Sequence, residues 1–376
     1  MNKNGTYLVI TPFFPSNESF IGSYVYDQVS EIQKQTNFSI KIVKVVSFFS
    51  LESDYEFNEF KVKIFKTFDF PYFIFPGLFN SYNKRRFSKF LDKKRITDIS
   101  FSHSHVSYPA AYLIEDLMCK KIVQHHGLDV LQLTNGRFSL LRKIQRHFLV
   151  KNTITHLNKV NLNIGVSRKV LGELRNYKLY NPKDEIVLYN GVDNSKFHYI
   201  QKKNNKKFTI GCVANFWKTK DHISLIKAVK LLVEDGVDCK LRLVGSGSTY
   251  SDCFNFVIMH NLQDVITFEK EIKHEKLNHF YNEIDLFVMP SYYEAFGCVY
   301  MEAWASNTPF IAIQGQGISE LIPENKRSLF LTEKENPIVL KNKIEYIAKN
   351  KIEFTFDTDF YLDNTISHFL KKLMEC

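Results

Sequence analysis

Asp285-Leu-Phe-Val-Met-Pro290, continuing as Ser291-Tyr-Tyr-Glu294-Ala-Phe-Gly297-Cys-Val-Tyr-Met-Glu302-Ala303, is the most informative stretch of this 376-residue chain. The apolar run that ends at Pro290 reads as a buried strand. A short loop then carries Glu294, and a helix starting near Phe296 carries Glu302 inside it. The first N–H groups of such a helix lack intrahelical partners and sit at the positive end of the macrodipole, which suits a diphosphate. Gly297 lets backbone approach a ligand closely. Carboxylates accept hydrogen bonds and polyols donate them, so Glu294 fits sugar hydroxyls and Glu302 fits ribose hydroxyls. Taken singly, the two glutamates read as well as a helix cap and a solvated surface acid.

The strand-loop-helix unit recurs along the chain. Tyr7–Ile10, Ile40–Val46, Ile99–His103 and Lys121–His125 read as strands, separated by helical segments such as Ser23–Lys34 and Pro109–Cys119. The pattern restarts after the polar basic stretch Lys202–Lys207, with strands at Phe208–Val213, Lys240–Val244, Val265–Phe268, Leu286–Met289 and Phe310–Ile313. Alternation of this kind predicts an α/β fold of two doubly wound, Rossmann-like domains, which the length also favours. The expected domains are 1–200 and 207–355, with a C-terminal helix at about 357–376 packing back on the first. Ligands in such sheets sit beyond the carboxyl ends of the strands.

Composition excludes several classes. The chain is 44% hydrophobic and 24% charged, as a globular protein is, so disorder is excluded. Its six cysteines (Cys119, Cys212, Cys239, Cys253, Cys298 and Cys376) form no CxxC pair and lack neighbouring histidine ligands, which fits a reducing cytosol and argues against a zinc site. No signal segment precedes Tyr7–Ile10, and no apolar run approaches membrane-spanning length. A formal charge of +10 invites a polyanionic partner: nucleic acid, an anionic membrane face or a phosphorylated substrate.

Glu, seven residues, Glu, preceded by a strand ending in Pro-Ser and followed by Ala303-Trp-Ala-Ser-Asn-Thr-Pro-Phe-Ile-Ala312, resembles the donor site of the family-4 retaining glycosyltransferases of GT-B fold. That resemblance implies two Rossmann-like domains facing a central cleft and a nucleoside-diphosphate sugar as donor, with no further cofactor and no metal. It assigns Glu294, Phe296, Gly297, Cys298, Val299 and Glu302 to the donor site. Gly211-Cys-Val-Ala-Asn-Phe-Trp-Lys-Thr-Lys220 is similar to the first strand and loop of the family's nucleotide domain, placing Lys220 on the diphosphate-binding lysine. Asn215 stands where many members carry arginine, and Lys218 is a candidate substitute. Leu243-Val-Gly-Ser-Gly247 resembles a strand-to-helix turn. In Gln314-Gly-Gln-Gly317-Ile-Ser-Glu320, Gln316 replaces one glycine of the family's pair and Glu320 is a nucleoside-pocket candidate. Lys270 occupies a place where relatives often have glycine near the base.

Similarity in the first half is carried by Thr11-Pro-Phe-Phe-Pro15 with Phe20-Ile-Gly22, where Gly22 would aim backbone amides at the diphosphate, and by Ser102–Pro109 and Gln124-His-His126-Gly-Leu-Asp129. By resemblance His126 contacts the transferred sugar, Asp129 supports it, and His105 is structural. Asn163–Ser167 and Tyr189–Asp193 complete the matched blocks.

The expected activity is retaining hexosyl transfer to a glycan or lipid-linked glycan acceptor, in surface polysaccharide synthesis, with Glu294, His126 and Lys220 at the chemistry. Phe68–Phe79, followed by Lys84-Arg-Arg86, Lys89 and Lys93-Lys-Arg95, fits either buried aromatics beside a solvated helix or contact with an anionic membrane face, which would place a cytoplasmic protein on the inner face of the cell membrane. Two rivals remain: a non-catalytic basic membrane-binding module on a transferase scaffold, and a glycoside hydrolase using Glu294 and Glu302 as its carboxylate pair. No helix-turn-helix, RNA-binding sheet or zinc-finger signature supports nucleic acid.

Overall fold

The strands read from the sequence are present to within two residues at either end, because parallel strands covered on both faces appear as continuous apolar runs. The computed structural model describes residues 5–68, 77–127, 140–201, 207–350, 352 and 354–375, with the side chains of 140–146 left out. The chain divides into two compact units, 1–190 with 365–376, and 191–364.

In the first unit the strands are β1 (Thr6–Thr11), β2 (Ser39–Ser47), β3 (Tyr55–Phe57), β4 (Phe60–Thr67), β5 (Ile99–His105), β6 (Lys120–His125), β7 (Leu162–Gly165) and β8 (Glu185–Val187). They form one sheet in the order β3-β4-β2-β1-β5-β6-β7-β8, parallel except for β3 on β4. Winding reverses at β1, whose two neighbours are β2 and β5; Val9 pairs with Ile42 on one side and His103 on the other. Every residue of β1 is buried. The helices are α1 (Ser23–Gln35), α2 (Asn80–Lys93), α3 (Ala110–Leu113), α4 (Leu140–Leu157) and α5 (Arg168–Arg175).

The helix expected over Pro109–Cys119 shrinks to α3. Beyond it the chain turns, and the Glu115 carboxylate is drawn between Lys84, His156 and Lys159. Burial pushes the Glu115 carboxyl up, but the ammonium groups of Lys159 and Lys84 outweigh it and hold Glu115 down to about pKa 2.

The second unit contains β9 (Phe208–Val213), β10 (Cys239–Val244), β11 (Ile266–Glu269), β12 (Leu286–Val288), β13 (Phe310–Ile313) and β14 (Leu331–Thr332). Their order is β11-β10-β9-β12-β13-β14, parallel throughout. Counted from β9 this is 3-2-1-4-5-6, the Rossmann order, with its switch point between β9 and β12. Its helices are α6 (His222–Glu234), α7 (Tyr250–Met259), α8 (Leu277–Glu283), α9 (Cys298–Ala305), α10 (Glu324–Phe330) and α11 (Pro337–Lys349); α12 (Leu362–Glu375) belongs to the first unit from Thr365 on.

The sequence places the domain boundary at Lys202–Lys207, of which 202–206 lie outside the described residues. The structural division falls earlier, where Val192 bonds in both directions to the residues leading into α12: its N–H donates to the Phe360 carbonyl at 3.0 Å and its carbonyl accepts from the N–H of Leu362, the first residue of α12, at 2.8 Å. Behind β12 and β13, Trp304 stacks on Phe354 at 4.5 Å and donates its indole N–H to the Phe354 carbonyl at 2.8 Å, which fixes the far end of α9.

Gly245 follows β10 at φ +141°, and a Cβ there would lie 2.2 Å from the Ala214 carbonyl oxygen. The two glycines of Gly245-Ser-Gly247 thus let this turn close on the loop after β9, where Phe216 N–H donates to the Ser246 carbonyl. Gly245→Ala should lower the thermal unfolding midpoint by roughly 5 °C, since the contact is with backbone that cannot swing aside. A calorimetric scan of the variant beside the parent measures it.

Candidate functional site

The switch point of the second unit brings together the loop after β9 and the loop after β12. They are stitched at Thr219, whose carbonyl accepts from the Tyr292 N–H at 3.0 Å and from the Ser291 hydroxyl at 3.1 Å. That stitching sets the Lys220 ammonium against the Glu294 carboxylate in an ion pair with both side chains largely covered. Asn215 and Lys218 lie in the same β9 loop and are exposed.

Gln316 holds the other side of Glu294. It is buried; its Oε1 accepts the Glu294 N–H at 2.7 Å and its amide donates to the Tyr292 carbonyl at 3.2 Å. The glutamine that departs from the family's glycine pair is therefore a lock on the Glu294 loop. Gly317 beside it leaves no room for a side chain, since a Cβ would meet the Ala295 carbonyl oxygen at 2.0 Å.

The helix read as starting near Phe296 starts two residues on, because Gly297 is its N-cap at φ +93°. A Cβ there would press 2.7 Å from the Tyr300 ring. Phe296 is buried beneath, while Cys298 and Val299 form the first turn of α9. Glu302, one turn further, is buried and already held: the Tyr281 hydroxyl donates to Oε2 at 2.8 Å, and His274 Nε2 lies 3.2 Å from Oε1. Burial first, then the Glu302 charge, drives Tyr281 well above the ordinary phenol range, so it stays a neutral donor. Glu320 is half-buried in the turn after β13 and Lys270 is exposed beyond β11. Motif reading missed Gln316, Tyr281 and His274 as partners. The position of β12 beside β9 is the signal that would have found the Thr219 stitch.

In the first unit Gly22 is the N-cap of α1 at φ +89°, with a Cβ excluded by the Phe13 carbonyl at 2.6 Å. Tyr24, in the first turn, lies 4.7 Å from the His126 ring, and His126 Nε2 is 3.0 Å from His105 Nδ1. Asp129, the expected support of His126, lies outside the described residues, as do 69–76 of the aromatic stretch. On α2, Lys84 pairs with Glu115 and Asp116 and Arg86 donates to the Lys66 carbonyl, whereas Arg85, Lys89 and Lys93 are exposed. No helix among the described residues is long and apolar enough to cross a membrane.

Residues 193–358 match the family model of the glycosyl transferases group 1. The match lies wholly within the second unit, and with the relatives below it supports a glycosyltransferase. This glycosyltransferase is 29% identical to an uncharacterized glycosyltransferase of Methanocaldococcus jannaschii over 88% of either chain. It is 28% identical to the capsular polysaccharide biosynthesis glycosyltransferase CapM of Staphylococcus aureus over 71% of this chain and 61% of CapM. Anabaena HepE, solved with UDP and glucose, superposes with a TM-score of 0.69 over 99% of this chain and 100% of its own, at 13% identity. The fold is GT-B.

His222, at the head of α6 next to Lys220, stacks on Phe216 with ring centroids 4.0 Å apart. Burial, then the Lys220 charge, pushes it down to about pKa 4 from 6.5. A histidine with its folded value lowered binds fewer protons folded than unfolded, so stability falls as pH drops from about 6.5 towards 4. His222→Phe keeps the stack and removes the titration. Denaturant unfolding at pH 7 and pH 4.5 should show the glycosyltransferase variant losing less stability on acidification, by about 2 to 3 kcal/mol.

Proposed function

We propose that this glycosyltransferase moves a hexose-type sugar from a nucleoside-diphosphate sugar, with retained anomeric configuration and without a metal ion, to a glycan or lipid-linked glycan acceptor in surface polysaccharide synthesis. The observation that carries the reading is the Lys220–Glu294 pair at the switch point, beside the Gly297 start of α9. CapM's part in capsular polysaccharide biosynthesis and the UDP and glucose bound by HepE support the substrate class.

The chemistry asks these residues for charge and placement. An arriving diphosphate competes with Glu294 for the Lys220 ammonium, and the displaced carboxylate turns to the sugar hydroxyls. The bond from the anomeric carbon to the phosphate oxygen breaks, its electron pair leaving with the diphosphate. Lys220 and the first N–H groups of α9 stabilise that charge as it develops. The acceptor oxygen forms its bond on the same face, and its proton passes to the departing phosphate. Glu302, anchored by Tyr281 and His274, retains lone pairs for the ribose hydroxyls. His126 of the first unit contacts the transferred sugar, and Gly22 supplies backbone amides to the diphosphate.

A hydrolase would need two carboxylates flanking one glycosidic bond. Here one is neutralised by Lys220 and the other is buried against Tyr281. Contact with an anionic membrane face on the cytoplasmic side belongs to the same proposal and rests on the exposed Arg85, Lys89 and Lys93.

Calorimetric titration of UDP, GDP and ADP into the parent, Lys220→Ala and Glu302→Ala tests the donor site without an acceptor. One nucleotide should bind preferentially, and each variant should weaken it on the order of tenfold or more. Folded protein that binds none of the three would contradict the proposal.

A further inference from the structure

The first unit carries a ladder of imidazoles that runs along β5 to the C-terminal rim of the sheet. His103 and His105 alternate with Ser104 and so share one face of the strand, and both are fully buried. His103 Nδ1 lies 2.8 Å from the Tyr7 hydroxyl, and its ring stacks on His105 at 4.3 Å. His105 in turn lies nearly parallel to His126, 16° between planes, with Nδ1 of the first 3.0 Å from Nε2 of the second. His126 is half-buried and packs against Tyr24.

Two ring nitrogens 3.0 Å apart share a single proton, one donating and the other accepting. Burial holds His105 well below the ordinary imidazole range, so it is neutral and carries one ring proton. On Nε2 that proton would be stranded, since this nitrogen is buried and has no hydrogen-bond partner among the described residues. A stranded N–H costs more than a stranded lone pair. On Nδ1 the same proton is donated to His126.

We propose that His105 is a positioning residue: it donates from Nδ1 to His126 Nε2 and thereby fixes the His126 proton on Nδ1, so that His126 meets the transferred sugar as a hydrogen-bond donor. This rests on the sugar-contacting role of His126 given above. The stacked His103, held at Tyr7, keeps the His105 ring from turning.

Nitrogen-15 NMR of histidine-labelled full-length protein reads the tautomer directly, with His126 assigned by the resonances lost in His126→Gln. In the parent, His126 Nε2 should appear as a bare acceptor and Nδ1 as protonated. His105→Asn, whose amide can place an N–H where Nδ1 was, should keep that pattern and near-parent turnover. His105→Leu should give mixed His126 tautomers and lower kcat on the order of tenfold, leaving KM for the donor unchanged. A His126 protonated on Nε2 in the parent, or an unchanged tautomer in His105→Leu, would overturn the proposal. The parent spectrum decides even if His105→Leu does not fold. Parent protein that transfers from no nucleotide sugar would sink the functional reading instead, with the tautomer still measured.

Discussion

Two loops leave adjacent strands of the second sheet, β9 and β12, and are joined at one carbonyl oxygen, that of Thr219. Because the sheet reverses its winding there, helices depart to opposite faces and a crevice opens between the loops. The Thr219 bonds fix the loops' separation, and so place the Lys220 ammonium against the Glu294 carboxylate at the switch point. Gln316, Gly317 and Gly297 then hold the Glu294 loop from its other sides. Loss of any of these would displace the carboxylate before it removed a charge.

The polar clusters beside the two points where the winding reverses are held differently. In the second, opposite charges are paired, Lys220 with Glu294, and a carboxylate is held by a neutral phenol, Glu302 with Tyr281. In the first, the groups in the corresponding position along the sheet are imidazoles kept neutral by burial, which leaves direction of donation rather than charge as the quantity to be set.

Much of this was legible in the sequence. Strands such as Tyr7–Ile10 and Leu286–Met289 are uninterrupted apolar runs because both faces of their sheets are covered. The hairpin of β3 and β4 escaped, although Phe60-Lys-Val-Lys-Ile64 alternates in the manner of a half-buried strand. β8, Glu185-Ile-Val187, is too short to announce itself. The helix read over Pro109–Cys119 ends at Leu113, and just beyond it Glu115 pairs with cations from elsewhere in the chain, which local pattern does not encode. At the site, Glu294, Glu302 and Lys220 could be named from their motifs. Their partners could not, since Tyr281 and His274 reach Glu302 across 21 and 28 residues and nothing in local pattern encodes that meeting.

The proposed competition for one ammonium is what would distinguish this site from a simple cluster of binding residues, and Glu294→Gln isolates it. Removing the carboxylate's charge frees Lys220 for a free nucleoside diphosphate while it weakens the grip on the sugar. The measurement is the affinity of the preferred diphosphate for Glu294→Gln and for the parent, at equal ionic strength, with transfer from its sugar conjugate followed in parallel. Tighter diphosphate binding by a few-fold with transfer nearly abolished is the predicted result. Weaker diphosphate binding in the variant would mean that Glu294 helps to hold the nucleotide and that the ion pair is not what the diphosphate displaces.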